Sequence, residues 1–185
     1  MIMKKTAIIL IFMILLTCLC SCGGIDKQSL EDIAAQLEPP LRITATVKSD
    51  SVTAKMTMEL YSLENDVTMR TTFTEPEMFK NLVVERKKDG KLIADYNGIE
   101  TELDQNALKF IAVTHDIMQE VRNSLTEYGE PAASEDERYG KAVIEVNDGT
   151  ITVYYDIETN KLLRVDSDLF DTNLKIDVLN IEKIE

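Results

Sequence analysis

The alternating pattern of residues 52–73 constrains the fold of this chain more than any other feature. Every second position gives two runs, Val52, Ala54, Met56, Met58 and Leu60, and then Val67, Met69, Thr71 and Phe73, all of them apolar except Thr71. The positions between them are polar or charged. A period of two with one polar side is typical of a strand that keeps one face in water. With residues 62–65 as the connection, the pattern predicts a hairpin whose apolar face must be covered.

Length and composition place the chain among globular proteins of one domain. It has 185 residues, 44% of them hydrophobic, which is enough for a sizeable core. The formal net charge is −13, and loss of Lys4 and Lys5 with a cleaved leader would leave 18 basic against 33 acidic residues, or −15. This charge argues against a nucleic-acid partner and against electrostatic adsorption to anionic lipid head groups.

The first 24 residues have the features of a bacterial export signal. Lys4 and Lys5 precede an uninterrupted apolar run at 7–16, which has the length of a signal-peptide core and is too short to span a membrane. The stretch at 19–23, LCSCG, resembles a lipobox. The resemblance implies that Cys22 receives a thioether-linked diacylglycerol, and two acyl chains give stable anchoring.

The predicted organisation is a lipoprotein signal peptide at 1–21, a lipidated tether at 22–28 and a single domain at 29–185. An uncleaved N-terminal anchor or an unlipidated secretory signal is the alternative. All three cysteines lie in or at the end of the signal. The mature domain is therefore predicted to have no disulfide and no thiol-based metal site.

A first helix is predicted to begin at Ser29, because Ser29 and Asp32 have the spacing of a capping box and apolar residues follow at helical spacing. Two prolines at 39–40 end it. One short helix with a narrow apolar stripe is not stable alone, so it must dock on another element.

A longer helical pattern at 104–127 has a broad apolar face, which predicts a central helix buried against a sheet. His115 is the only histidine and lies in this face. A packed structural role is favoured for it over catalysis, because no nucleophile motif accompanies it.

Strands fill most of the remaining chain. Alternation predicts them at 41–48, 52–60, 67–73, 80–86, 91–96 and 99–103, and after the central helix at 141–147, 150–156, 161–167 and 173–184. Asp89-Gly90 and Asn97-Gly98 are hairpin signals, since these residues tolerate positive φ. Residues 128–138 are predicted to form a polar loop. The fold class is therefore α+β, with an antiparallel sheet of about ten strands and two helices.

Motifs that carry chemistry are few. The cluster at 166–171 offers oxygen ligands but lacks the glycine and the distal Glu of a calcium loop, so no metal site is predicted. The sequence contains no GxSxG, no phosphate-binding glycine loop and no HExxH motif. The chain is therefore predicted not to be an enzyme and to need no cofactor. A hydrolase is the third choice and would require a pocket converging on His115.

Two motifs carry a family resemblance. The first is the hairpin KDGKLIADYNG at 88–98, which follows a strand opening with FKN at 79–81, and the second is the C-terminal hairpin YDIETNKLLRV at 155–165. With the order of elements, they resemble the Lol-type lipoprotein carriers and receptors, together with the envelope sigma-factor regulators and the actinobacterial lipoproteins that carry glycolipids. The likeness covers nearly all of the mature chain.

The resemblance implies an unclosed, curved antiparallel sheet, a half-barrel, whose apolar concave face is covered by the N-terminal and central helices. It also implies an arginine that latches the lid of the cavity. Arg70 and Arg86 both lie on predicted strands, and neither has a motif that singles it out.

A hydrophobic ligand is expected on the concave face, because clustered methionines adapt to ligands of varied shape. The predicted ligand-binding residues are Val52, Ala54, Met56, Met58, Leu60, Val67, Met69, Phe73, Ile111 and Met118. The leading interpretation is a monomeric extracytoplasmic lipoprotein, anchored to the cell membrane or the outer membrane, that binds or transfers a lipid, an acyl chain or a lipidated protein. The alternative is an envelope interaction or sensing module with an internally packed core, in which the acidic exterior or an edge strand meets a partner.

Overall fold

The chain forms two α-helices and eleven strands in the residues that the computed structural model describes, which are 27–104, 109–132, 134, 136, 138–147, 149–169 and 172–184. The helices are α1, Lys27–Gln36, and α2, Lys109–Tyr128. The strands are β1 Leu41–Lys48, β2 Thr53–Leu60, β3 Val67–Glu75, β4 Leu82–Lys87, β5 Leu92–Tyr96, β6 Ile99–Leu103, β7 Glu130–Ala132, β8 Tyr139–Val146, β9 Gly149–Asp156, β10 Leu162–Ser167 and β11 Leu174–Lys183.

All eleven strands lie in one antiparallel sheet that does not close into a barrel. Its order is β6-β5-β4-β3-β2-β1-β11-β10-β9-β8-β7, so two meanders meet where β1 pairs with β11. The two helices cover the concave side of this curved sheet. The predicted α+β half-barrel with an N-terminal and a central helix is therefore confirmed.

The inward-facing residues of the strands form one continuous core with the two helices. In β1 and β2 every second residue is buried, as expected for strands with one polar face. α2 packs against α1 and against β8, β9 and β11. Its first turn reaches the other half of the sheet, where the ring of Phe110 lies 6.4 Å from the ring of Phe73 on β3. α2 therefore crosses the concave face.

Two features of the secondary structure differ from the predictions. α1 begins at Lys27 rather than Ser29, and the carboxylate of Asp32 does not complete a capping box, because it accepts hydrogen bonds from the side chains of Gln28 at 3.1 Å and Asn160 at 2.9 Å. β7 lies within 128–138, where the sequence predicts a loop. The strand is missed because three residues are too few to show the alternation that predicts a strand. Part of the predicted start of the central helix, at 105–108, lies outside the described residues.

A bulge changes the predicted faces of β3. The register with β4 shifts between Val67 and Met69, so the prediction of a water-facing Thr68 is wrong. Thr68 is buried, and its hydroxyl donates to the carbonyl of Arg86 at 3.2 Å. Val67 is half-buried. From Met69 onward the apolar residues follow the predicted alternation.

Gly140 on β8 lies where a side chain would not fit. It pairs with Tyr155 on β9, whose ring occupies the space that a β-carbon would need. The ring is enclosed, since Tyr155 is 2% exposed. We expect Gly140→Ala to lower the free energy of unfolding, measured with urea, by about 1–3 kcal/mol, as overpacked cores do. In a Tyr155→Leu background the cost should be much smaller, and an equal cost in both backgrounds would contradict this explanation.

Candidate functional site

Most of the predicted ligand-binding residues lie together in the core between β2, β3 and α2. Ala54, Met56, Met58, Met69 and Ile111 have no exposed surface, and Met118, Phe73 and Leu60 are exposed by 1%, 5% and 7%. Val52 is half-buried and packs against this core. Val67 lies outside it, because the bulge in β3 interrupts the alternation there. We call the eight buried residues the apolar lining.

The apolar lining is in direct contact with its cover. Phe73 on β3, Phe79 in the 3₁₀ turn Glu77–Phe79, and Phe110 on α2 form a ring cluster with centroid distances of 5.4, 6.4 and 6.4 Å. Tilted and edge-on ring contacts at these distances add to the stabilisation from burial. The cover is therefore packed on the sheet at this end of α2.

Thr71 places a polar atom in the middle of these apolar side chains. It pairs with Met58 on β2 and with Val84 on β4, and it has no exposed surface. Its hydroxyl has no hydrogen-bond partner in the described part of the chain. A buried hydroxyl without a partner costs about 1–3 kcal/mol, so the interior holds a donor that is not satisfied by its surroundings.

A narrow crevice borders the apolar lining at the other end. It lies between the C-terminal end of α1, the β2–β3 turn and the middle of α2, and its volume is about 20 Å³, close to the space of one water molecule. Leu60 and Met118 of the lining stand in its wall. Leu63, 55% exposed, stands at its rim. This crevice is therefore a place where the lining borders solvent.

Arg86 ties the sheet to α2. It lies on the concave side of β4, in a cross-strand row between Met69 of β3 and Leu92 of β5. Its Nη1 donates a hydrogen bond to the carboxylate of Asp116 and lies 2.8 Å from Nδ1 of His115. The side chains of Arg86, Asp116 and His115 are 26%, 36% and 8% exposed. We call these three residues the latch.

The electrostatics of the latch favour an ionised Asp116. Burial alone would raise the pKa of its carboxyl, but hydrogen bonds from His115 and Arg86, together with their charges, outweigh burial and hold the pKa below its ordinary value of 3.8. Nδ1 of His115 also lies 3.4 Å from the carboxylate of Asp116.

Of the two arginines that the sequence left open, Arg86 contacts α2 and Arg70 does not. Arg70 lies on the opposite face of the sheet, is 48% exposed and lies 4.0 Å from Glu85. A signal for Arg86 was present in the sequence, because Leu82, Val84 and Arg86 follow one another at every second position. Residues at every second position share one face of a strand, so Arg86 points to the same side as Val84. A cation on a buried face needs a partner inside the protein.

The contribution of Asp116 to stability depends on pH in a defined direction. Its pKa is lower in the folded than in the unfolded chain, so its contribution is present above the unfolded pKa of about 4 and is lost as the pH falls through the folded pKa. We expect Asp116→Asn to lower the free energy of unfolding by about 1 kcal/mol at pH 7, a small value because solvent screens the carboxylate. Urea unfolding of both proteins between pH 7 and pH 3 measures this difference, which should shrink at the acidic end. A constant difference would contradict the role of the ionised carboxylate.

Other candidate residues give no further site. Among the described residues, no three His, Cys, Asp or Glu side chains are placed to hold a metal ion. Asp168 accepts a hydrogen bond from the backbone N–H of Thr150 at 2.5 Å, and Asp166 lies 3.0 Å from Arg164. Asp171 of the predicted acidic cluster and Cys22 lie outside the described residues. Neither described helix has the length and hydropathy that a membrane crossing requires.

Comparisons with known proteins find only distant structural likeness. No protein-family model matches the chain, and no curated protein matches it. An uncharacterized conserved protein from Thermus thermophilus is 8% identical over 85% of this chain and 87% of its own, with a TM-score of 0.46. LprF from Mycobacterium bovis is 10% identical over 84% and 91%, also at 0.46. A structure of the Pseudomonas aeruginosa MucA/MucB complex matches at 8% identity over 84% and 56%, with a TM-score of 0.39. These likenesses assign neither a family nor a function to the chain.

Proposed function

We propose that this chain is a lipid-anchored envelope protein that binds or transfers a molecule with an acyl chain, held against the apolar lining. The observation that carries the proposal is the latch. The helix that covers the lining is tied to β4 by the charged groups of Arg86 and Asp116, which remain partly exposed to water. Such a tie can open at low cost, because both charges gain hydration when they separate. α2 is thus a cover that can move away from β4.

The composition of the lining supports an adaptable binding surface. Four of its eight members are methionines, Met56, Met58, Met69 and Met118. Methionine is unbranched and polarisable, so it can repack around ligands of different shapes. The hydroxyl of Thr71, which has no partner among the described residues, would donate to an ester or carboxyl oxygen of such a ligand. The same lining can therefore be filled by its own side chains or by a ligand.

Entry is proposed at the crevice between α1, the β2–β3 turn and α2. Leu60 and Met118 already border it, and the latch residue His115 is part of its wall. Movement of α2 away from β4 would widen this opening into the lining. Each CH₂ group that enters contributes about 0.8 kcal/mol of hydrophobic free energy, which offsets the separation of the packed side chains.

The predicted anchor places the domain near its source of lipid. Cys22 would carry two acyl chains, and α1 begins at Lys27. The intervening segment reaches at most about 18 Å when it is fully extended. The predicted mature charge of −15 (18 basic, 33 acidic residues) disfavours attraction to anionic head groups, so recognition would depend on the acyl chain.

Lipid analysis of the native protein tests this function. The full-length protein is purified from membranes in mild detergent and extracted with organic solvent, and the extract is analysed by mass spectrometry. We expect a near-stoichiometric lipid, and an N-terminal peptide that carries diacylglycerol on Cys22. Isotopically labelled lipid, added when the cells are lysed, controls for adventitious uptake. Repeated isolation of lipid-free protein would contradict the carrier function. Anchoring is judged separately, from the mass of the N-terminal peptide.

A second candidate function is an envelope interaction or sensing module. It is favoured by one observation, the complete burial of Met56, Met58 and Met69, which is also what a permanently packed scaffold requires. Crosslinking in cells separates the two candidates. One dominant protein adduct together with a lipid-free core would favour the module, whereas bound lipid would favour the carrier.

A further inference from the structure

We propose that the outer edge of β6, with which no other described strand pairs, binds an extended basic segment of a partner protein, which adds to the sheet as a further antiparallel strand. β6 ends the sheet order and pairs with β5 on one side. Four of its five residues are exposed. This surface is separate from the apolar lining, so the inference does not depend on the proposed lipid function.

The two edges of the sheet differ in how they are protected. At one edge, β7 has three residues and contains Pro131. A proline cannot donate a backbone hydrogen bond, and a short edge strand offers little to pair with. At the other edge, β6 reads IETEL and has neither proline nor lysine. β6 therefore keeps a row of backbone groups that another strand can use.

The turn before β6 determines which backbone groups face outward. Asn97 and Gly98 form a two-residue turn with φ of 55° and 85°, and Tyr96 and Ile99 pair across it. In such a hairpin the flanking pair exchanges both backbone hydrogen bonds, and hydrogen-bonded and non-bonded pairs then alternate. The N–H and C=O groups of Glu100 and Glu102 consequently point away from β5.

The side chains of β6 specify the chemistry of the added strand. Ile99, Thr101 and Leu103 follow Tyr96, Ala94 and Leu92 in rows on the concave side. Ile99 is 73% exposed, so an apolar residue opposite it would bury surface that is now in water. Glu100 and Glu102 stand on the other face. Opposite charges favour a cross-strand pair, so these positions select basic residues.

Charge argues for a basic partner rather than a second copy of the chain. Antiparallel pairing of β6 with itself would set Glu100 against Glu102 of the other copy, which is unfavourable. The present ion pair of Glu102 is with Lys91 at 3.4 Å, and the two side chains are 58% and 54% exposed. Exposed pairs of this kind contribute little, so a basic residue of the partner can replace Lys91.

A peptide probe tests the inference on the full-length protein in detergent micelles. The probe is acetyl-Val-Lys-Val-Lys-Val-amide, followed by NMR of the ¹⁵N-labelled protein. We expect it to shift the amide signals of β6 and to slow the hydrogen exchange of Glu100 and Glu102, with binding that weakens as salt is added. The probe Val-Glu-Val-Glu-Val, and a basic probe in which both lysines are methylated at the backbone nitrogen and so lack the N–H groups that face β6, should bind at least about tenfold more weakly, which corresponds to about 1.4 kcal/mol.

Two variants separate backbone pairing from charge. Glu100→Pro removes an outward N–H and leaves the bonds to β5 in place, since proline is tolerated on an edge strand, and it should weaken the probe at least about tenfold. Glu100→Gln/Glu102→Gln should weaken it about threefold and reduce its salt dependence. The control Glu64→Gln/Glu158→Gln makes the same charge change at exposed turn residues and should bind like the wild type.

Three results would overturn the inference: no binding of the basic probe to the wild type, equal binding to Glu100→Pro, or equal binding of the acidic probe. Concentration-dependent dimerisation through β6 would also overturn it, in favour of self-association. The amide spectrum of Glu100→Pro outside β5 and β6 shows whether the variant is folded, and Glu100→Gln/Glu102→Gln keeps the test valid if it is not. Lipid content should be the same in all these variants, so a failure here is distinguishable from a failure of the proposed function.

Discussion

Ile111→Ala is expected to lower the free energy of unfolding by about 2–5 kcal/mol, the range for buried isoleucine truncated to alanine. Ile111 lies on α2, belongs to the apolar lining and has no exposed surface. If the lining accepts acyl chains, the space left by the side chain should also be filled by one, as engineered apolar cavities bind apolar ligands. Urea unfolding with and without dodecanoic acid measures both effects.

Ile176→Ala is the matched control for this substitution. Ile176 is also completely buried, but it lies on β11, outside the lining. We expect a comparable loss of stability without a comparable recovery. A ligand at about one hundred times its Kd would restore about 2.7 kcal/mol, and it should do so more fully in Ile111→Ala than in Ile176→Ala. Equal recovery in the two variants would show that the acid does not bind at the lining.

Arg86→Ala is expected to speed the exchange of bound lipid by about tenfold or more. If the closed state, in which α2 is tied to β4, loses about 1.4 kcal/mol, the ratio of open to closed molecules rises about tenfold. The substitution removes the cation that holds Asp116 and contacts His115. Stability should fall by about 1–2 kcal/mol, because a charge-assisted bond is lost but its groups are partly in water. The measurement is the transfer of a fluorescent fatty acid from the protein to vesicles in a stopped-flow instrument.

Arg70→Ala provides the comparison for Arg86. The two arginines lie on neighbouring strands, but Arg70 faces outward and is 48% exposed. Its removal should change neither the transfer rate nor stability by more than about 0.5 kcal/mol. Transfer rates that are the same in Arg86→Ala and in the wild type would show that the latch does not control α2.

Much of the fold could be predicted from local patterns. The bounds of β1 and β6 match their predictions at 41–48 and 99–103, because a strand with one buried face carries its period in its own residues. Features that depend on distant partners could not be predicted. The side chain of Asp32, which was expected to cap α1, is bonded by Asn160 from far along the chain, and β7 is formed by pairing with β8 rather than by its own pattern.

The candidate site likewise has one part that follows from local pattern and another that depends on residues far apart in the chain. Burial of Met56 and Met58 follows from alternation alone. The role of Arg86 required its distance to Asp116 and His115, which lie 30 and 29 residues along the chain. The contact between Phe73 and Phe110 likewise depends on where α2 crosses the sheet. The apolar residues that the sheet contributes to the lining could therefore be predicted, but how closely α2 packs on them could not.

Photocrosslinking with a diazirine-labelled fatty acid tests the proposed lipid function most directly. The full-length protein is loaded with the probe and irradiated, and the modified peptides are identified by mass spectrometry. We predict adducts on β2, β3 and α2, at or next to Met58, Met69 and Met118, and competition by unlabelled fatty acid. Adducts confined to the convex face of the sheet, or no adduct that unlabelled fatty acid prevents, would contradict an acyl-chain site beneath α2.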